Sequence, residues 1–481
     1  MSSAGEVGTR RAFADVGVQL GGRVLNLIPG VVVTLLLARS LGEAGFGRWS
    51  TLLAVVQIAS YVGDFGLEQV AVRHAASKPE EEADWIAALL TFRLALTVPV
   101  MVATVIVQLL IASSSEMAAA GLILTVTLLA GAVNVLRVTF QLRVRNWLTV
   151  LTTTVNSLVW AAGVVIIAAH DGGLVAFSLA FLGAAVVSVG LTAVLALRIV
   201  PVRLRGATKH WRELLRVGVP VGIAGMLMTV YLRLDQVLLF LIAGAKESGL
   251  YAAAYRILDQ AQYIPNAAMI TFLPIIASAW PADAARVRRL STGIAEGMAL
   301  ISLPALGFSI VAAEPTMRLL FGPDFVEAAP ALPILMASFV CVAFSTLFGY
   351  LVVVVELQRK LIIYAGISLV VNIALNAVLI PLFGFVGAAV ATLLTELVMM
   401  VLTGRAVIAD IDLHPSAVRF VRTALAATGM SLAVAGARAA GVGIGGLAAV
   451  AVVSYPALVL LLRAFSVAEA RELLAARRAG G

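Results

Sequence analysis

Ten charged residues interrupt long apolar runs of this chain: Arg23, Asp64, Glu68, Arg93, Arg233, Asp235, Arg256, Asp259, Glu296 and Glu396. If those runs cross a bilayer, a charge near its centre costs roughly 2.5–3.5 kcal/mol, so each needs a partner or a task. Spacing sorts them. Asp64 and Glu68 are four apart and share one face of a continuous helix, where they could pair with arginines or couple transport to a proton or sodium gradient. Arg256 and Asp259, three apart, can pair along one face. Arg233 and Asp235, two apart, point roughly 200° away from each other, so one should face the interior and the other a neighbouring helix. Arg93 lies near the edge of its span and can snorkel to the interface, a reading also open to Arg23. Arg23, Arg233 and Arg256 share another property. A guanidinium fork matches phosphate geometry and stays charged in apolar surroundings. A cavity lined by them would take a pyrophosphate head group and would suit a hydrophobic cation badly. The carboxylates Asp64, Glu68, Asp235, Asp259, Glu296 and Glu396 remain as coupling or ion-pair candidates.

The elements that must position these groups are transmembrane helices. Hydrophobic residues make up 61% of the 481 and charged residues only 12%, about half the usual charged share of a soluble domain. The mean hydropathy is +1.04. The apolar runs do not alternate in the way of barrel strands, so the fold class expected is an all-α polytopic membrane protein. Fourteen spans are expected, with cores near 16–38, 49–71, 90–112, 117–136, 148–169, 174–197, 217–243, 250–277, 292–312, 331–355, 361–382, 386–408, 420–440 and 443–463. The first is too long for a signal-peptide core and is expected to be retained.

Basic residues set the orientation. With the N-terminus in the cytoplasm, 25 of the 34 Lys and Arg fall in cytoplasmic segments, five in outer segments and four within spans. One missed span would invert every later loop, so this bias supports a multi-pass protein of the cytoplasmic membrane with both termini cytoplasmic. The net charge of +8 thus reflects topology, and nucleic acid is not expected as a partner. The basic segment 198–216, with Trp211, reads as a linker between halves, and the tail VAEARELLAARRAGG as a short interfacial helix or a topology signal.

The halves resemble each other. Gly42, Gly47 and Trp49 recur 202 positions later as Gly244, Gly249 and Tyr251, and GGLVAFSLAFL at 172–182 parallels GFVGAAVATLL at 384–394. The organisation expected is an N-terminal six-helix bundle over 1–208, a second over 209–410, and two further helices with the tail over 411–481. Six spans per repeat put equivalent elements in the same orientation, as in bundles that rock for alternating access. Pro29, Pro99, Pro220, Pro265, Pro274 and Pro304 mark bends in or near spans.

Several chemistries find no support. There is no GxxxxGK[ST] loop for ATP. The four histidines, His74, His170, His210 and His414, are scattered, and the single Cys341 forbids a disulfide within the chain. No loop is long enough for a soluble catalytic domain. Transport is the expected class, with no cofactor and no enzymatic activity.

Three stretches also resemble a known family. LLLARSLGEAGFGRWS with DFGLEQVAVRHAA, LRLDQVLLFLIAGAKESGLYAAAYRI with AQYIPNAAMITFLPIIAS, and VVNIALNAVLIPLFGFVGAAVATLLTE are similar to helices one and two, seven and eight, and eleven and twelve of Wzx-type polysaccharide flippases. These belong to the multidrug/oligosaccharidyl-lipid/polysaccharide (MOP) exporter superfamily. The resemblance spans about residues 12–410. It implies a two-lobed bundle that moves a polyprenyl-pyrophosphate-linked oligosaccharide to the outer leaflet for cell-surface polysaccharide biosynthesis, with a cationic lumen and an ion-driven cycle. It carries the arginine role to Arg23, Arg233 and Arg256. The implied partners are the lipid-linked oligosaccharide, membrane lipids, a coupling proton or sodium ion, and polysaccharide-assembly proteins. Alternatives are a peptidoglycan lipid-precursor flippase, a drug/cation antiporter of the same superfamily and, in a different class, a membrane glycan polymerase, glycosyltransferase or assembly scaffold.

Overall fold

A computed structural model describes residues 3–64, 67–143, 145–200, 208–413 and 416–464, with side chains from residue 29 onward apart from eleven scattered positions. The tail, His414 and linker residues 201–207 lie outside the described residues. The described residues form helices and no strand: α1 Ser3–Asp64, α2 Leu67–Ser77, α3 Glu82–Ile111, α4 Ser115–Val133, α5 Val138–Leu142, α6 Trp147–Ala168, α7 Leu174–Ile199, α8 Trp211–Ala261, α9 Tyr263–Ala279, α10 Ala284–Phe321, α11 Ala331–Val354, α12 Gln358–Ile411, α13 Ala417–Ala439 and α14 Ile444–Leu461.

Among the described residues, eleven stretches are long and apolar enough to cross a membrane. Three of them, Pro29–Asp64, Gly225–Ala279 and Gln358–Ile408, have 36, 55 and 51 residues, well beyond the roughly 20 that a bilayer needs. Each contains one glycine with non-helical backbone: Gly42 (φ 64°, ψ 180°), Gly244 (φ 89°, ψ −175°) and Gly384 (φ 55°, ψ −134°). Positive φ is cheap only without a Cβ. Dividing each stretch there gives fourteen segments, the number expected; the one before Gly42 continues back along α1 to Ser3. In α12 the chain doubles back, because a Cβ on Gly387 would lie 2.1 Å from the carbonyl oxygen of Leu379, eight residues earlier. Leu110, Leu461 and Val452 are more than 70% exposed. Such exposure of large aliphatic side chains suits lipid and not water.

The chain forms two compact units, 1–241 and 242–481. In the first, α1 packs on α3, α4 and α6, and α4 and α6 both pack on α7. In the second, α11 packs on α10 and α12, and α10 carries α13, which packs on α14. The α10–α13 approach is close, since a Cβ on Gly307 would meet Ser431 Oγ at 2.4 Å. Each unit repeats one arrangement. Trp49, just past the Gly42 turn, packs edge-on against Phe181 of α7 at 5.8 Å and stacks on Trp160 of α6. Tyr251, just past the Gly244 turn, hydrogen-bonds Thr392 in the second arm of α12 at 2.9 Å. Phe181 and Thr392 lie in the matching segments 172–182 and 384–394.

Two carboxylates fasten the ends of those same helices. Glu116 Oε1 accepts the backbone N–H of Leu174 at 3.0 Å, and Glu247 Oε2 accepts that of Phe385 at 2.8 Å. Each satisfies a donor that a helix start leaves open and sits at the positive end of the dipole. A glycine makes room in both cases, since a Cβ on Gly173 would lie 2.8 Å from Glu116 Oε1 and one on Gly384 2.2 Å from Glu247 Oε2.

A proline kink is treated in the same manner. Pro315 in α10 has no N–H for the carbonyl of Val311, and the backbone departs from helical geometry at Ala312. Arg438 of α13 donates to that Val311 carbonyl and reaches Glu314 at 3.1 Å.

Candidate functional site

In the first unit, α3 presents Arg93 to the end of α1. Arg93 Nη1 donates to Asp64 Oδ1 at 2.6 Å, and Arg93 is 6% exposed. One helix further, Arg137 Nη2 reaches both oxygens of Glu68, at 3.3 and 3.4 Å. The pairs are neighbours, since Glu68 also feels Asp64 and Arg93 electrostatically. Two acids and two bases therefore form one nearly neutral cluster, the arrangement that lowers the cost of charge away from water.

Asp64 and Glu68 both pair with arginine, one of the readings open to them from sequence, and each takes a separate partner. Arg93 does not snorkel but is buried on Asp64. Arg137, placed by sequence in a cytoplasmic segment, turns inward to Glu68.

The other candidates are spread over both units. The side chain of Arg23 lies outside the described residues. Arg233 on α8 is half-buried and interacts with neighbouring groups. Asp235 is 4% exposed, and its Oδ1 accepts the backbone N–H of Gln236 at 2.8 Å. In the second unit, Arg256 Nη1 stands 4.0 Å from Asp259 Oδ2, the limit of an ion pair, with the Arg256 side chain 40% exposed. Buried Arg256 Nε has no hydrogen-bond partner among the described residues. Glu296 of α10 accepts from Arg419 of α13 at 2.8 Å, a partner that sequence reasoning placed in a loop. Glu396 is buried in α12. Among the described residues no group of three or more His, Cys, Asp or Glu could hold a metal ion.

Missed altogether was a cluster at one end of the first unit. His74 of α2 and His210, just before α8, stack on opposite sides of Trp85 of α3, with ring centroids at 4.6 and 4.1 Å. The signal available was only that both histidines lie in cytoplasmic segments by charge bias. Nothing in their spacing, 136 positions apart, shows that they meet.

The sequence profile of a family described as polysaccharide biosynthesis protein matches residues 12–280. The chain belongs to this family. Over 180 residues it is 28% identical to a probable flippase, AglR, of Haloferax volcanii, a match that covers 37% of this chain and 38% of that protein. The chain thus spans well under half the length of that relative. Its fold is that of solved MOP superfamily transporters. A lipid II flippase, MurJ, in an inward closed conformation superposes with a TM-score of 0.74 over 94% of this chain and 99% of that one, at 12% identity. An inward-facing multidrug resistance transporter of the MATE family gives 0.64 over 81% and 95%, at 16% identity. A MOP transporter from Pyrococcus furiosus, described as having a binding pocket of reversed polarity, gives 0.56 over 83% and 95%, at 15% identity. The chain is a multi-pass membrane protein of this fold.

Proposed function

We propose that the protein flips a polyprenyl-pyrophosphate-linked oligosaccharide from the inner to the outer leaflet of the cytoplasmic membrane by alternating access, without chemistry on the substrate. Arg256 carries the reading. Arg93, Arg137 and Arg419 reach carboxylates at 2.6 to 3.3 Å, whereas Arg256 stands 4.0 Å from its acid and is 40% exposed. Its guanidinium has donors left for an anion, and a pyrophosphate suits that fork. Family membership supports a polysaccharide substrate, and the name of the archaeal relative supports flipping. In this reading Arg23 and Arg233 join Arg256 as the cationic lining. The bundles keep the bounds read from sequence, 1–208 and 209–410 with 411–481 appended, while the compact units divide between 241 and 242; both termini are cytoplasmic. Coupling to a proton or sodium ion would involve Asp64, Glu68, Asp235, Asp259, Glu296 or Glu396. Those already paired with arginine must open their pairs to exchange an ion. Membrane lipids surround the bundle, and polysaccharide-assembly proteins supply and consume the substrate.

A lipid-linked peptidoglycan precursor is the second reading, favoured by the superposition over nearly the whole chain on a lipid II flippase. One experiment addresses both. Purified protein in liposomes is given a fluorescent polyprenyl-pyrophosphate glycan or a lipid-linked peptidoglycan precursor, and translocation is followed by quenching. The glycan is expected to move. Arg256→Ala should slow it about tenfold or more, the loss of one charge-assisted contact, with insertion unchanged. Full activity of the variant removes Arg256 from the site, and transport of the precursor alone moves the protein to the second reading.

A further inference from the structure

The cluster around Trp85 plays no part in the proposed substrate path. Trp85 is 2% exposed and His210 8%, and the indole lies between two imidazoles nearly parallel to it, at interplanar angles of 24° and 19°. Each imidazole faces a carboxylate from a different element. His74 Nε2 lies 3.1 Å from Glu213 Oε1 in the first turn of α8, and His210 Nε2 lies 4.0 Å from Glu81 Oε2 in the turn before α3. Nε2 of His210 is buried and has no hydrogen-bond partner among the described residues. Next to the sandwich, Trp211 Nε1 donates to Thr91 Oγ1 of α3 at 3.2 Å. The other charges nearby are matched already: Lys78 stands 3.7 Å from Glu81, and Arg143 holds Glu82 at 2.7 Å.

These contacts join three elements of the first unit, and one of them matters beyond it. α8 begins at Trp211, and the chain passes along it from the first unit into the second. Whatever fixes its first turn to α2 and α3 constrains the segment through which the units are connected. The strength of that fixation depends on charge. A neutral imidazole beside an indole contributes packing and, at His74, a hydrogen bond to Glu213. A protonated one adds attraction to the ring face, effective within roughly 6 Å of the centroid, and places a positive charge opposite Glu213 or Glu81. Histidine is the side chain whose charge ordinarily changes between pH 5 and 8. Acid therefore tightens the contact and alkali loosens it.

We propose that His74, Trp85 and His210, with Glu213 and Glu81, form a pH-dependent clamp on the first turn of α8 that slows the transport cycle when the compartment at that end of the protein acidifies. By the charge bias of the loops that compartment is the cytoplasm. The inference about transport rests on the flippase reading; the clamp itself does not.

Two measurements on the full chain separate them. Spin labels on Ala169→Cys and Arg212→Cys, both exposed and both in the first unit, with Cys341→Ala, report the position of the first turn of α8. One narrow distance is expected at pH 6, and a second, broader component at pH 8, with the ratio of components changing about fivefold. In His74→Gln/His210→Gln the broad component should be present at both values, while Trp85→Phe, which keeps an aromatic face, should retain part of the response. Size-exclusion profiles check that each variant is folded. Identical distributions at pH 6 and 8 in the protein with both histidines overturn the clamp, as does a pH response that survives unchanged in the double variant. In liposomes, flipping should be several-fold slower at pH 6 on that side, and nearly pH-independent in the double variant. A conformational response without any translocated substrate would leave the clamp standing and refute the flippase reading. A conformational response with transport of unchanged rate would overturn the braking role.

Discussion

Arg93 and Asp64 show how a charge is tolerated in an apolar bundle. Alone, each would be expelled to the interface; at 2.6 Å each supplies the other with its counter-charge. Removing one leaves the partner uncompensated, with Glu68 adding repulsion. Arg93→Ala should therefore destabilise the detergent-solubilised protein by roughly 1–3 kcal/mol, seen as a lower unfolding temperature. Asp64→Asn/Arg93→Ala should recover much of the loss, because the orphaned charge is gone. A double variant no better than the single one would show that Arg93 acts through packing instead. Arg256 belongs to the opposite case. Its acid stands too far away to saturate it, so its removal should weaken transport and leave stability nearly untouched.

Among the elements, the glycine turns decide where one apolar run becomes two spans. Gly384 is the most constrained of them, held at φ 55° with Glu247 Oε2 where a Cβ would be. Gly384→Ala must adopt an unfavourable backbone conformation and push Glu247 off the N–H of Phe385. The cost is about 1–3 kcal/mol. Gly349, in the middle of α11, has open space around its missing Cβ, so Gly349→Ala should be neutral or stabilise by up to about 1 kcal/mol. Thermal unfolding of the two variants in parallel gives the comparison, and equal effects would refute the role assigned to the turn. Arg438 shows an element-scale device of another kind, a side chain from α13 standing in for the N–H that Pro315 withholds from α10.

At the scale of the whole molecule, the count of spans fixes the topology. Fourteen spanning segments and the skew of basic residues to alternate loops together predict that both ends lie on one side. A reporter fused after Arg478 should read cytoplasmic; a periplasmic reading would require an odd number of spans. The same orientation puts His74 and His210 on the cytoplasmic side, so the direction of the pH effect and the reporter result must agree.

Much of this was determined by the sequence alone. Apolar runs near bilayer length prescribe helices, because only a helix satisfies every backbone donor and acceptor within one segment. Gly42 and Gly244, spaced like their aromatic neighbours, marked equivalent turns in the two halves, and their matching backbone angles bear this out. The partners of the charges were not legible. Helical periodicity relates residues three or four apart, and among the ten charges within the apolar runs it suggests Arg256 with Asp259. Arg93 with Asp64, Arg137 with Glu68, Arg419 with Glu296, and the two histidines on Trp85 lie 29 to 136 positions apart. Their meeting depends on which helix packs on which, and degenerate apolar faces do not encode that in any local pattern; only the tertiary structure decided it.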